Sequence, residues 1–331
     1  MIIETRAYPR AALIGNPSDG YHGRTIAFTF DNFCAEIVLY ETPELEIHPT
    51  LRDNSVFKSI HHLAEDVKLY GYYGGIRLLK SAIKCFRQYC LEHDIALHGR
   101  NFTVRYNSTI PNLVGLAGSS AIITACMKAL LTFYGVDIPK PVLANLIRAV
   151  ESRELGIAAG LQDRVAQVYQ GLVYMDFDKA LFDRQGYGRY ESMTLSRLPK
   201  LYIAYRTDLS EGSEVFHNTL RERYDAGDAE AHEAMRFWAD LTDQARAAME
   251  AGDDAELSRL MNANFDKRAK LCQLGEGNLR MVTSARATGA SAKFTGSGGA
   301  IIGTYADEAM YARLEEALTP LGIHVIKPRI V

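Results

Sequence analysis

The stretch NLVGLAGSSAIITACMKALL, residues 112–131, constrains this chain more than any other. Gly115, Ala117, Gly118, Ser119 and Ser120 lead straight into a long apolar run. Ala121, Ala125 and Ala129 favour a helix there. A helix start carries N–H groups without partners and a partial positive charge, which suits phosphate. Glycine lets the backbone approach a ligand, and a serine hydroxyl reaches a metal ion. The same residues also make an ordinary helix cap. Other parts of the chain have to decide between the two readings.

Periodicity assigns most of the elements. RTIAFTF and AEIVLYE have strand character. GGIRLLKSAIKCFRQYCLEH has helical spacing, and IALHGRNFTVRYNSTIP returns to strand before Pro111. KPVLANLIRAVESREL is amphipathic, with Pro141 near its first turn. GLVYMDFD and LYIAYRT are strands, and the polar, interrupted DRQGYGRYESMTLSRLPK between them reads as a linker or a domain edge. Helices follow over SEVFHNTLRERYD, AEAHEAMRFWADLTDQARAAMEA, DAELSRLMNANFDKRAKLCQL and GNLRMVTSARATG. The end reads strand, strand, a helix over roughly 307–319 and the strand IHVIKP, a small α+β layer. A chain of 331 residues implies two domains, divided here as 1–185 and 186–331.

Composition excludes several classes. Net charge is −3 with no basic run, so bulk electrostatics do not point to nucleic acid. No apolar run reaches the roughly 18 residues of a membrane span. Five cysteines without a C-x-x-C pair fit a reducing cytoplasm rather than a disulfide framework, and Cys126 reads as a buried thiol. The N-terminus does not read as a signal peptide. The adjacent His61 and His62 are poorly spaced for one metal ion.

Three further stretches carry chemistry. YPRAALIGNPSDGYHGRTIAF holds Asn16, Pro17, Ser18, Asp19 and Gly20, either a tight turn or a polar wall for a polyhydroxylated ligand. AVESRELGIAAGLQDRVAQVYQG holds Glu151 and Asp163, with Gly156 and Gly160 breaking the helix after Leu155. If the break folds back, one carboxylate holds a hard cation and the other accepts a proton. The alternative is a solvated helix end with Arg153 and Arg164 as surface partners. GASAKFTGSGGAII places Gly296, Gly298 and Gly299 between two strands, as a hairpin turn or as a backbone that closes against a ligand.

Taken in order, PRAALIGNPSDGYHG, PNLVGLAGSSA and AKFTGSGGA resemble the three motifs of the GHMP kinases. ELGIAAGLQDRVAQVYQGLVYMDF further resembles the glucuronokinases within that family. The resemblance implies a two-domain α+β fold with the active site in the cleft between domains, and ATP and Mg²⁺ as cofactors. It implies that Gly115, Leu116, Ala117, Gly118, Ser119, Ser120 and Ala121 cradle the nucleotide phosphates. Ser120 and Glu151 match the metal-holding positions, and Asp163 the catalytic aspartate. Arg10 matches the arginine that contacts this aspartate. Asn16, Asp19, Gly296, Ser297 and Gly298 fall on the acceptor side. Asn16 and Pro17 stand where galactokinases carry Glu-His, and the missing negative charge suits an acidic sugar. A carboxylate on that sugar calls for a cation. Arg268, Arg164 and Arg77 are the candidates, and the sequence does not choose among them. Asn264 is a further pocket candidate, and Tyr72 and Tyr73 are candidates near the adenine. The implied activity is phosphorylation of a sugar's anomeric hydroxyl, with D-glucuronate first, galacturonate, galactose or a heptose as alternatives, and a non-catalytic sugar-binding relative as the competing class. The oligomeric state is not set by the sequence.

Overall fold

A computed structural model describes residues 1–50, 53, 59, 74–207 and 220–331. His61, His62, Tyr72, Tyr73 and most of SEVFHNTLRERYD lie outside the described residues. By contacts the chain forms two units. The first takes Met1–Pro9, Phe33–Asn112 and Ala117–Val168; the second takes Arg10–Asn32, Leu113–Leu116 and Tyr169–Val331.

Among the described residues, the first unit has one four-stranded sheet. Its strands are β1 (Ile2–Ala7), β4 (Ala35–Thr42), β5 (Glu46–His48) and β6 (Asn101–Ser108), in the order β1-β4-β6-β5. In β4, Ala35, Ile37 and Leu39 are buried while their neighbours are not, the alternation of a sheet with one covered face. The cover is α1 (Gly75–Glu92) and α2 (Gly118–Tyr134). Phe86, Ile123, Cys126, Met127, Leu130 and Phe133 pack there. Burial pushes the Cys126 thiol up to about 12, so it is an inert core group. α3 (Lys140–Ala149) runs directly into a π-helical turn at Val150–Glu154. Gly156, at φ 68°, takes the left-handed backbone that ends this segment, and α4 (Gln162–Tyr169) starts afterwards.

Among the described residues, the second unit has two four-stranded sheets. β2 (Arg10–Ile14), β3 (Arg24–Thr29), β7 (Leu172–Asp176) and β8 (Arg189–Ser192) form the first, in that order and antiparallel throughout. β2 is buried at every position, and so is β3 after Arg24. The sequence reads the stretch containing β8 as a linker or a domain edge. Its Arg189–Ser192 segment instead hydrogen-bonds along β7, because the edge of β7 offers a ladder that polar residues can also complete. β9 (Leu201–Tyr205), β10 (Lys293–Phe294), β11 (Ala300–Thr304) and β12 (His324–Ile326) form the second sheet, ordered β10-β11-β9-β12. The helices of this unit include α5 (Lys179–Gln185), α6 (Ala229–Ala251), α7 (Asp254–Leu271), α8 (Glu276–Ala287) and α9 (Glu308–Leu318). α6 starts at an Asp228 cap and α7 at an Asp253 cap, each side chain accepting from first-turn N–H groups. The mixture of separate sheets and helices is the α+β class that the sequence implies.

Candidate active site

In the first unit, the loop entering α2 is held open by an unusual backbone. Ala117 caps the helix at φ 61°, a left-handed conformation that costs a non-glycine residue energy. Its carbonyl is fixed from three sides. Gln167 Nε2 donates to it at 2.9 Å, Ser120 Oγ at 3.1 Å and the Ala121 N–H at 3.2 Å. The Ala121 N–H, expected among the phosphate donors, is therefore engaged inside the helix. The N–H groups of Gly118, Ser119 and Ser120 come before the first intrahelical bond and point out of the helix start.

The hydroxyl that reaches Glu151 is that of Ser119, which donates to Oε1 at 2.7 Å. Ser120 is fully buried and turns its hydroxyl back to Ala117, so the expected pairing of Ser120 with Glu151 is here a pairing with Ser119. Glu151 sits in the π-helical turn, a distortion that redirects one side chain out of helical register. Its other oxygen accepts from Arg164 Nη2. Arg164 Nη1 lies 3.1 Å from Asp163 Oδ2 and donates to Gly160 O at 2.9 Å. A single buried guanidinium thus joins the two carboxylates that the sequence placed twelve residues apart. Glu151 and Arg164 are 3% and 5% exposed in their side chains, Asp163 20%. Of the two carboxylates, Asp163 is the more exposed. It also sits in the first turn of α4, where the helix dipole favours negative charge.

Sequence reasoning left Arg164 as a surface partner or a ligand for a sugar carboxylate; the structure buries it between acids. The signal was present in its position directly after Asp163, but only folding back of 155–161 gives it Glu151. A cavity of about 460 Å³ in the same unit is lined by Asp53, Gly74, Ile76, Arg77, Lys80 and Ser81. One of its lining residues, Arg77, donates Nη2 to the carbonyl of Leu155, which ends the Glu151 turn, at 3.5 Å.

In the second unit, residues from all three sequence motifs meet. Arg10 of β2 is 5% exposed and donates Nη1 to Gly115 O at 3.4 Å and to Thr295 O. Its N–H bonds Leu116 O at 3.1 Å. A side chain on Gly296 would place its Cβ 2.5 Å from Gly115 O, so glycine is required for these two backbones to touch. Lys293 is 1% exposed and donates to Ala12 O and Phe294 O, both at 2.8 Å. Burial, reinforced by the Arg268 and Arg10 charges, holds its pKa well below the ordinary lysine value.

The loop after β2 is held by Asn264 of α7. Asn264 Oδ1 accepts from the Gly15 N–H at 2.7 Å, and its Nδ2 donates to Asn16 O at 3.0 Å. A cis peptide bond joins Asn16 to Pro17, and Asp19 follows in a short 3₁₀ turn, Ser18–Tyr21. Asn16 is 4% exposed, and its Oδ1 has no hydrogen-bond partner among the described residues. Buried polar atoms are seldom left so. Arg268, also of α7, is 3% exposed and donates to Gly296 O and Ser297 O.

Comparison with known proteins gives three findings. The family described as GHMP kinases N terminal domain matches residues 77–171. Glucuronokinase 1 of Arabidopsis thaliana is 45% identical over 307 residues, covering 91% of this chain and 84% of the plant protein. Two solved structures share the fold at low identity. The Lactococcus lactis galactokinase complexed with galactose has a TM-score of 0.74 at 16% identity, over 99% of this chain and 93% of that one. Streptococcus pneumoniae phosphomevalonate kinase in complex with phosphomevalonate and AMPPNP has 0.76 at 12%, over 99% and 100%.

Proposed function

Because this chain belongs to the GHMP kinases, we propose that it transfers the γ-phosphoryl group of ATP to the anomeric hydroxyl of D-glucuronate. The identity to glucuronokinase 1 supports the acceptor, and the Asp163–Arg164–Glu151–Ser119 network carries the chemistry. Phosphoryl transfer asks mainly for alignment and neutralisation of charge. The N–H groups of Gly118, Ser119 and Ser120, with the start of α2, take phosphate oxygens. Asp163 accepts the hydrogen bond of the attacking hydroxyl and takes its proton as the new P–O bond forms. Arg164 beside it favours the ionised carboxylate that this role requires. Asn16, through its buried Oδ1, and Asp19 accept from sugar hydroxyls.

The donor set fits Mg²⁺. Among the described residues no three acidic, histidine or cysteine side chains cluster, so there is no all-protein cage. A single carboxylate, Glu151, stands with a loop hydroxyl, and Mg²⁺ is commonly held by one or two carboxylates plus substrate phosphates. Glu151 with Ser119 or Ser120 would hold the ion, which supplies charge neutralisation at the phosphates. The cavity lined by Ile76, Arg77 and Lys80 is the proposed place of the nucleotide base.

The testing experiment is ADP release with ATP and Mg²⁺ over glucuronate, galacturonate, glucose, galactose and a heptose. Strong preference for glucuronate is expected. A neutral sugar as best acceptor would refute the argument from Asn16-Pro17. ATP binding without turnover of any sugar would favour a sugar-binding protein.

A further inference from the structure

We infer that Arg268 is a positioning residue for this reaction: it holds the Gly296 and Ser297 carbonyls so that the next two N–H groups face the opposite way, as a donor pair for an oxyanion. The inference rests on the kinase reading above.

Arg268 lies on the buried face of α7, with Leu257, Leu260, Met261, Asn264 and Phe265. A buried arginine in such a row needs fixed acceptors. It has them in two consecutive carbonyls. Nη1 donates to Gly296 O at 2.8 Å and Nη2 to Ser297 O at 2.8 Å, and the guanidinium lies 4.8 Å from the centre of the Phe294 ring. The fork is planar and rigid, so both carbonyls are drawn to one side of the loop.

Peptide geometry then sets the rest. The cis bond found among the described residues is Asn16-Pro17, so the loop peptides are trans. In a planar trans peptide the N–H points opposite to the C=O. The Ser297 and Gly298 N–H groups therefore face away from Arg268. Neither has a hydrogen-bond partner among the described residues. Two successive N–H groups on one side form an anion-binding concavity. The ends of the loop are pinned elsewhere. Thr295 N–H bonds Ala300 O at 3.1 Å, and Gly299 N–H bonds Asn278 Oδ1 at 3.0 Å. Gly298, at φ 156°, and Gly299, at φ 77°, permit the path between. The oxyanion has two possible sources, the transferred phosphoryl group and the carboxylate of the acceptor.

The test compares wild type with Arg268→Lys and Arg268→Ala. A lysine keeps the charge but offers a point donor in place of the fork. Folding is checked by thermal melting. Amide exchange is read at Thr295 and Gly299, and steady-state kinetics at saturating ATP. For Arg268→Lys we expect a melting point near wild type, exchange faster by about tenfold at these two amides and kcat/KM lower by about 10²-fold. Loss in kcat with an unchanged glucuronate KM identifies the phosphoryl oxygens; loss in KM alone identifies the sugar carboxylate. Added methylguanidinium should restore part of the rate to Arg268→Ala. Wild-type exchange and rates in Arg268→Lys would overturn the inference. If wild type phosphorylates no sugar, the kinase reading fails by itself, and the exchange experiment alone still decides whether Arg268 holds the loop.

Discussion

Arg164 in the first unit and Arg268 in the second are both buried, and they do different things with the same side chain. Arg164 donates to two carboxylates, Glu151 and Asp163. Arg268 donates to two carbonyls, those of Gly296 and Ser297. A cation between acids balances their charge and fixes where the two carboxylates lie. A cation on carbonyls sets the direction of peptides. On the proposed function, the first arrangement serves proton and metal chemistry and the second serves backbone donors.

The comparison can be broken at its strongest point first. Asp163→Asn keeps the shape and removes the proposed base, so turnover should fall by about 10²–10⁴-fold while the nucleotide dissociation constant barely moves. Single-turnover assays with calorimetric nucleotide binding would check it, and near-normal turnover would remove Asp163 from its role.

Arg164→Met leaves Glu151 buried without its counter-charge, at a cost of about 3–5 kcal/mol in urea unfolding. The double variant Arg164→Met, Glu151→Leu should regain much of that stability while staying inactive. No regain would mean that Arg164 acts through packing rather than through charge.

Gly296→Ala tests the backbone contact of the second unit. Its Cβ would meet Gly115 O, a backbone atom, at 2.5 Å. Overpacking of this kind costs about 1–3 kcal/mol, and activity should fall more than stability. An active Gly296→Ala variant with a wild-type melting curve would mean the two loops do not need to touch.

The smallest effect concerns a cation that has neither kind of partner set. Burial and the nearby Lys140 lower the Lys128 amine to about 8, and it donates to Arg6 O at 3.2 Å. From about pH 8 up to the ordinary lysine range, the unfolded chain holds a proton that the folded chain has released. Stability should therefore rise with pH across that window. Below it both states are charged, and the folded state carries the full desolvation cost. Lys128→Met should stabilise the protein by about 1–2 kcal/mol at neutral pH and flatten the rise. Denaturant melts at several pH values would show a parallel, unshifted curve if the burial effect is absent.

Much of the fold was legible because its signals are local. AEAHEAMRFWADLTDQARAAMEA is read as one helix and is one, Ala229–Ala251. Gly156 breaks the segment after Leu155 as its freedom at positive φ allows. β8 was not legible, because a polar strand at a sheet edge has no hydrophobic alternation to read. The interleaving of the two units was equally hidden. Arg10–Asn32 joins the second unit through pairing of β3 with β7, whose residues lie far along the chain.

The sequence by itself determined the family, through the order of three motifs, and with it the residue types that phosphoryl transfer needs. Tertiary structure alone decided that Ser119 rather than Ser120 meets Glu151, that Arg164 joins the two acids, and that Arg268 holds a loop. The physical reason is range. Periodicity, caps and turns depend on neighbours within a few residues, and sequence displays those directly. Which carbonyl or carboxylate a buried guanidinium meets depends on elements brought together from distant parts of the chain, at a distance of a few ångströms that only the folded backbone sets.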